Sequence, residues 1–293
     1  MTLLNFLRML MNNKIETAQT LLEALPYIKR YTNEIFVIKY GGSAQINPSL
    51  KDKFAQDIIL LYLVGIKPVV VHGGGKKINA MLDKLEIESQ FIDGMRVTDE
   101  QVMEVVEMVL SGNINNEITT LLNMHGGKAL GMTGKDANFI TAEPKAKGKY
   151  GLVGEIVNIN NSVIERLLED KFIPVIAPIG SGNEVNHPGF NINADLAASK
   201  IAAAIGAKKI IFMTDIVGVL DKEKNLLETL TQDEIEAYKK DATIVGGMIP
   251  KVDACLEAVN AGVEKAHIID GRVEHSILLE VFTSEGIGTV IKK

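Results

Sequence analysis

Five short runs constrain this chain more than any other feature: Ile35–Tyr40, Pro68–His72, Ile173–Ala177, Lys209–Thr214 and Ala266–Asp270. Each is a nearly continuous stretch of Val, Ile and Phe rather than an alternation of apolar and polar residues. Strands of that kind are covered on both faces, the condition of a parallel sheet held between helical layers. The segments between them supply helices: Lys51–Val64, Lys76–Leu85, Glu100–Leu110, Ile114–His125, Leu196–Ile205 and Lys251–Ala261 carry apolar residues at helical spacing. The expected fold class is therefore α/β with a mainly parallel sheet.

Two regions depart from this alternation. Residues 138–160 combine short β runs with Gly, Pro and Lys, which reads as an antiparallel hairpin, either a flap over a ligand or a plain surface hairpin. Ile15–Arg30 reads as an amphipathic helix ahead of the first strand, with Leu21, Leu22, Leu25 and Ile28 on one side. Its apolar stripe packs either on its own domain or on another subunit.

Composition narrows the function classes. A net charge of -6 over 293 residues leaves no basic stripe to neutralise nucleic-acid phosphates. A single cysteine, Cys255, excludes an internal disulfide and suits a reducing cytoplasm. No apolar run approaches the roughly 20 residues that span a bilayer. The five histidines are far apart in sequence and none pairs at helical spacing, so they give no metal signature. The first ten residues lack the basic segment and cleavage site of a signal peptide, and Met11 is an alternative start.

Chemistry concentrates in a few glycine- and lysine-bearing segments. Val71-His-Gly-Gly-Gly75 closes a strand and opens a helix, leaving backbone N–H groups unobstructed beside a positive helix end, so the turn suits an anion or needs glycine for geometry alone. Lys39 ends a strand just before Gly41-Gly42 and either meets an anion or snorkels to solvent. Lys251 follows Gly246-Gly-Met-Ile-Pro250 at a helix start, where a cation opposes the dipole and calls for a compensating ligand. Asp195, ending Asn191-Ile-Asn-Ala-Asp195, either caps the next helix or holds lysines. Arg96, in Gly94-Met-Arg-Val-Thr98, grips a carboxylate by its fork or is exposed without a partner. The chain has neither a Walker-type phosphate loop nor a dinucleotide fingerprint.

Five ordered motifs, Lys-x-Gly-Gly, His-Gly-Gly-Gly, Gly-x-Arg-Val-Thr, Asn-x-Asn-Ala-Asp and Gly-Met-x-x-Lys, resemble those of the amino acid kinase family from about Glu34 onward. Within it they resemble the branch that phosphorylates N-acetyl-L-glutamate. The resemblance implies a three-layer α/β/α sandwich with two lobes: about 31–195 for the acceptor and about 196–293 for ATP with Mg2+. It implies that Lys39 and Lys251 stabilise the moving phosphoryl group and that Asp195 orients them. Gly74, Gly75, Arg96 and Asn191 would hold N-acetyl-L-glutamate. Gly41, Gly42, Thr214, Asp215 and Gly218 would meet the nucleotide. Arginine-inhibited members of that branch are similar in carrying an N-terminal helix that builds a hexamer from dimers. By that likeness residues 1–30 form an oligomerising extension, and Tyr27, His275, Glu280 and Gly288 an L-arginine site. Rival readings are another carboxylate or carbamate kinase of the family, or a non-catalytic arginine sensor.

Overall fold

In the computed structural model, the described residues are 15, 18, 19, 21–92 and 94–293. Residues 21–31 form helix α1; the remainder of the expected N-terminal helix includes positions 16, 17 and 20, outside the described residues. The core then runs β1 (Ile35–Tyr40), α2 (Pro48–Leu63), β2 (Lys67–His72) and α3 (Gly75–Lys84). A small ribbon, β3 (Phe91–Ile92) with β4 (Met95–Arg96), leads into α4 (Glu100–Glu107) and α5 (Asn116–Met124). Next come β5 (Ala129–Thr133), the hairpin β6 (Ile140–Pro144) and β7 (Gly154–Ile159), α6 (Ser162–Glu169) and β8 (Ile173–Ala177). A second ribbon, β9 (Ile179–Gly180) with β10 (Phe190–Asn191), precedes α7 (Ala194–Ala204) and β11 (Lys209–Thr214). The chain closes with β12 (Thr229–Leu230), α8 (Gln232–Lys240), α9 (Ile249–Asn260), β13 (Lys265–Asp270), α10 (Ser276–Phe282) and β14 (Thr289–Ile291).

One eight-stranded sheet in the order β12-β14-β13-β11-β1-β2-β8-β5 unites these elements. All pairings are parallel except β13 with β14, which turns the last two strands against the rest. Period-two alternation sends Val37, Val69, Val71, Ile210 and Phe212 to one face, beside α6, α7 and α9. Phe36, Ile38, Val70, Ile211 and Met213 face the other way, onto α2, α3, α4, α5 and α10. Because both faces are buried, the strands read as continuous apolar runs, and the three-layer α/β/α sandwich with a mostly parallel sheet follows.

Two local expectations need correction. The sequence suggests a break between helices at Ser111-Gly112-Asn113; instead Met108–Asn115 continues α4 into α5 as a π-helical stretch. The β6–β7 hairpin is packed into the fold on one side and is not a plain surface hairpin. Phe139, Ile140 and Ala142 are buried, and the segment after its turn bridges Gly151 to Thr98 and Val153 to Asn191. It is a structural wall between two segments that carry candidate ligand residues. Helix α1 leaves Leu21, Leu22 and Leu25 exposed on the single chain, while Tyr27 packs against the core.

Candidate active site

The central parallel strands deliver the singled-out residues to one end of the sheet. From β1 the chain proceeds to β2, β5 and β8 on one side and to β11 and β13 on the other. The crevice outside the carboxyl ends of β1 and β11 is the point where that order reverses, which is where open α/β sheets bind ligands. Lys39 and Gly41-Gly42 leave β1 there, His72 through Gly75 leave β2, and Thr214-Asp215 leave β11.

Asp195 is the hub. Asn193 caps α7 by accepting from the amides of Asp195 and Leu196, so Asp195 sits in the first turn with its own carboxylate left over. That carboxylate meets Lys39 Nζ at 2.9 Å and Lys251 Nζ at 3.8 Å. Burial alone would favour the neutral acid, but the Lys39 and Lys251 ammoniums outweigh it and hold the Asp195 carboxyl below its usual range. Lys251 stands in the first turn of α9, and α9 is locked onto α7 by Ser199 Oγ donating to Ala254 O at 2.7 Å. One buried anion thus draws together a cation from each half of the chain.

The two glycine turns face each other across a hollow of about 230 Å3 lined by Lys39, Gly41, Gly42, Gly73, Gly74, Gly75 and Lys76. A Cβ on Gly41 would lie 2.7 Å from Lys39 Nζ. At Gly42, where φ is +69°, one would lie 2.5 Å from Asp215 Oδ1. Asp215 accepts from the Ser43 amide at 2.6 Å and lies 3.7 Å from Lys76 Nζ. It therefore ties the β1 turn to the end of β11 as well as facing the cleft. A neighbouring groove of about 370 Å3 runs along Asp215, Ile216, Val217, Gly218, Val219 and Arg272, beside Thr214. Gly218 itself is packed against Thr289, whose hydroxyl accepts from the Val219 amide at 2.8 Å.

Arg96 is buried, with neutral neighbours. Its guanidinium donates to Ser89 Oγ at 2.6 Å, to Asn79 Oδ1 and, at 3.5 Å, to Gly75 O, and lies 4.7 Å over the Phe91 ring. Among the described residues no carboxylate neutralises it, and burial alone pulls its pKa down. A buried guanidinium without a carboxylate partner beside Gly75 is the kind of group that an anion would complement. Asn191 reaches the same region, donating to Thr98 Oγ1 at 3.2 Å.

Away from the cleft, Glu280 and Gly288 are joined directly. Glu280 accepts from the Ile287 and Gly288 amides at 2.8 and 3.1 Å and from His267 Nδ1 at 2.6 Å. His275 stands at the other end of α10, 2.6 Å from Asp57 Oδ1. Tyr27 lies on α1, and no hydrogen bond joins it to these groups among the described residues.

Sequence reasoning passed over Ser43, Gln45 and Lys76. Gln45 donates to Tyr40 O and Gly73 O at 3.0 and 3.1 Å, stitching the two glycine turns together. Its signal was only proximity to Gly41-Gly42. No group of three or more His, Cys, Asp or Glu able to hold a metal occurs among the described residues, and no helix among them is long and apolar enough to cross a membrane.

The amino acid kinase family model matches residues 34–270. Over 281 residues the chain is 66% identical to the acetylglutamate kinase of a Nitratiruptor species, covering 96% of this chain and 99% of that one. It is 64% identical, with the same coverage, to the acetylglutamate kinase of Sulfurimonas denitrificans. Among solved structures, N-acetylglutamate synthase from Neisseria gonorrhoeae, complexed with coenzyme A and N-acetyl-glutamate, superposes with a TM-score of 0.84 at 24% identity. That match covers 94% of this chain and 63% of the longer synthase, and at such identity it speaks to the fold alone.

Proposed function

The chain belongs to the amino acid kinase family, and from that premise we propose that it phosphorylates the γ-carboxylate of N-acetyl-L-glutamate with ATP, a step of arginine biosynthesis. The observation that carries the chemistry is Asp195 holding Lys39 and Lys251 at the mouth of two facing glycine turns.

A γ-carboxylate with a pKa of about 4.3 is already ionised at neutral pH, so no general base is required. A carboxylate oxygen attacks the γ-phosphorus, the bond to the β-phosphate oxygen breaks, and ADP leaves with that electron pair. The obstacle is the approach of one anion to another, so positioning and charge stabilisation do the catalytic work. Lys39 and Lys251 have ammonium protons to spare beyond Asp195 and meet the charge on the moving phosphoryl group. The amides of Gly74 and Gly75 receive the acceptor, Arg96 its α-carboxylate and Asn191 its acetamido end. Gly41, Gly42, Thr214, Asp215 and Gly218 frame the nucleotide, whose Mg2+ neutralises phosphate charge. In this reading residues 31–195 form the acceptor lobe and 196–293 the ATP lobe.

Regulation belongs to the same proposal. Residues 1–30 join subunits into a dimer or a hexamer of dimers, consistent with the exposed Leu21, Leu22 and Leu25. L-Arginine binds near Tyr27, His275, Glu280 and Gly288 and inhibits. Because Glu280 is already engaged, a guanidinium must displace or share its partners, which couples binding to α10.

The test is ATP-dependent ADP release with N-acetyl-L-glutamate beside glutamate, carbamate, aspartate and UMP, each with and without L-arginine. Turnover with N-acetyl-L-glutamate alone supports the acceptor, and suppression by arginine supports the effector. Turnover with a different acceptor reassigns the pocket, and none at all leaves a non-catalytic sensor.

A further inference from the structure

The π-helical stretch between α4 and α5 has a consequence for the second glycine turn. Buried positions along this helix step through Val105 and Val106, then Val109 and Leu110, then Ile114 and Asn115. The last step, from Leu110 to Asn115, is five residues, the spacing of a π turn rather than an α turn. It brings an asparagine that is 3% exposed into the core directly beneath the end of β2.

There the Asn115 amide nitrogen donates to Val175 O at 2.9 Å, lies 3.1 Å from His72 Nε2 and is 3.4 Å from Met132 O. A carbonyl only accepts, so the contact with Val175 fixes which end of the Asn115 amide carries the hydrogens. Its oxygen points to Gly131, where a Cβ would leave it no room. An amide nitrogen does not accept, so a hydrogen on His72 Nε2 would have no partner there, and Nδ1 carries the ring proton. That proton is donated to Gly73 O at 3.0 Å. Burial holds the fully enclosed imidazole neutral by pushing its pKa down to about 4.

Gly73 O thus receives two side-chain donors, His72 Nδ1 from the core and Gln45 Nε2 from the wall of the hollow. A trans peptide points its carbonyl and its N–H in opposite directions, and the chain has no cis bond among the described residues. The Gly74 amide accordingly points away from these two donors, and Gly74 itself lines the hollow between the glycine turns. Leu110 and Ile114, from the same π stretch, fill the space where Gly74 lacks a side chain.

We propose that Asn115 is a positioning residue: through the tautomer of His72 it sets the orientation of the Gly73–Gly74 peptide and so aims the Gly74 amide at the acceptor carboxylate. The acceptor half of this statement rests on the function proposed above; the ring and peptide half stands on the geometry alone.

Two measurements test it. Long-range 1H–15N correlation of the histidine rings in the ligand-free protein reads the His72 tautomer, and the expected result is a neutral Nδ1–H ring that does not titrate between about pH 6 and 8. A neutral Nε2–H ring, or an imidazolium, overturns the proposal whether or not the protein is a kinase. Steady-state kinetics on Asn115→Leu, which keeps the volume and removes the donor, should show acetylglutamate KM raised about tenfold, the size of one misaimed hydrogen bond, with ATP KM and kcat nearly unchanged. Asn115→Asp, which replaces the donor by an acceptor, should reverse or protonate the ring and raise the same KM at least as far. An unchanged acceptor KM, or equal rises for both substrates together with a lower melting temperature, would reduce Asn115 to a core residue. If Asn115→Leu does not fold, the wild-type tautomer still decides. A wild-type enzyme that ignores acetylglutamate sinks the acceptor assignment, while the ring spectrum separately judges the peptide orientation.

Discussion

The cleft and the α10 region are both organised by a buried carboxylate, and they treat it in opposite ways. Asp195 is 17% exposed at its side chain and is met by two ammoniums at 12% and 26%. Each ammonium has three donors and, among the described residues, a single carboxylate contact, so the cluster has positive charge left over. Glu280 and His267 are only 2% and 3% exposed, and every strong interaction of Glu280 is spent on the protein itself. Burial opposes its ionisation, yet the His267 hydrogen bond and the Ile287 and Gly288 amides hold its pKa below the usual value. Burial also lowers the His267 pKa, so a neutral ring donates to an ionised acid. Similar residue types thus leave cations partly unsatisfied in the cleft, whereas at α10 both oxygens of Glu280 are engaged by the protein.

The comparison breaks if mutations in the two regions have the same phenotype. The largest effect should come from Glu280→Ala, which strands the His267 N–H and two backbone amides. Removing one partner of such a buried set typically costs about 3–5 kcal/mol. Denaturant unfolding should show that loss, with kcat nearly unchanged wherever the variant is folded; full stability would mean that the closed shell is not structural. In the cleft, Lys251→Ala should lower kcat by roughly 10²–10³, or about 3–4 kcal/mol of transition-state stabilisation, and leave the melting temperature close to wild type. A near-normal kcat would take Lys251 out of the chemistry.

Arg96 sharpens the distinction inside the cleft, because among the described residues no carboxylate pairs with its buried guanidinium. Arg96→Ala should raise acetylglutamate KM by roughly 10- to 100-fold, the range of a charge-assisted hydrogen bond, with little change for ATP. Equal effects on both substrates would contradict an acceptor carboxylate at this position.

The two regions also differ in how far they could be read from the chain. The parallel strands were legible because burial on both faces leaves continuous apolar runs, and their glycine turns and lysines follow directly in sequence. Strand β5 was not, since Leu130 and Gly131 are exposed on this sheet-edge strand and break the run. Ser111-Gly112-Asn113 reads as a helix break because local propensity cannot register a π turn imposed by packing. Lys39, Asp195 and Lys251 could be singled out individually, but their convergence depends on α7 packing against α9. The same limit hid Ser43 against Asp215, a contact that spans 172 positions. At α10, Glu280 looked like an available carboxylate; its engagement by His267 is a tertiary fact.

The smallest effect concerns Asp57, which joins α2 to the start of α10. It is buried, and burial pushes its pKa up to about 6, with the His275 hydrogen bond and charge and the Ile277 and Leu278 amides pulling the other way. A carboxyl with an ordinary pKa near 3.9 when unfolded then binds its proton more tightly in the native state between about pH 4 and 6. Native protein therefore holds more protons than unfolded protein in that window, and this contribution to stability falls as pH rises through it. Glu280 and Asp195 have depressed pKa values and act in the opposite sense, losing stability as pH falls. The Asp57 contribution is isolated by comparing wild type with Asp57→Asn, which removes the titration and keeps one acceptor oxygen. Relative to the variant, wild type should lose on the order of 1–3 kcal/mol between about pH 4 and 6. Parallel stability curves would mean that Asp57 is ionised throughout and that its link with His275 is an ion pair maintained across this range.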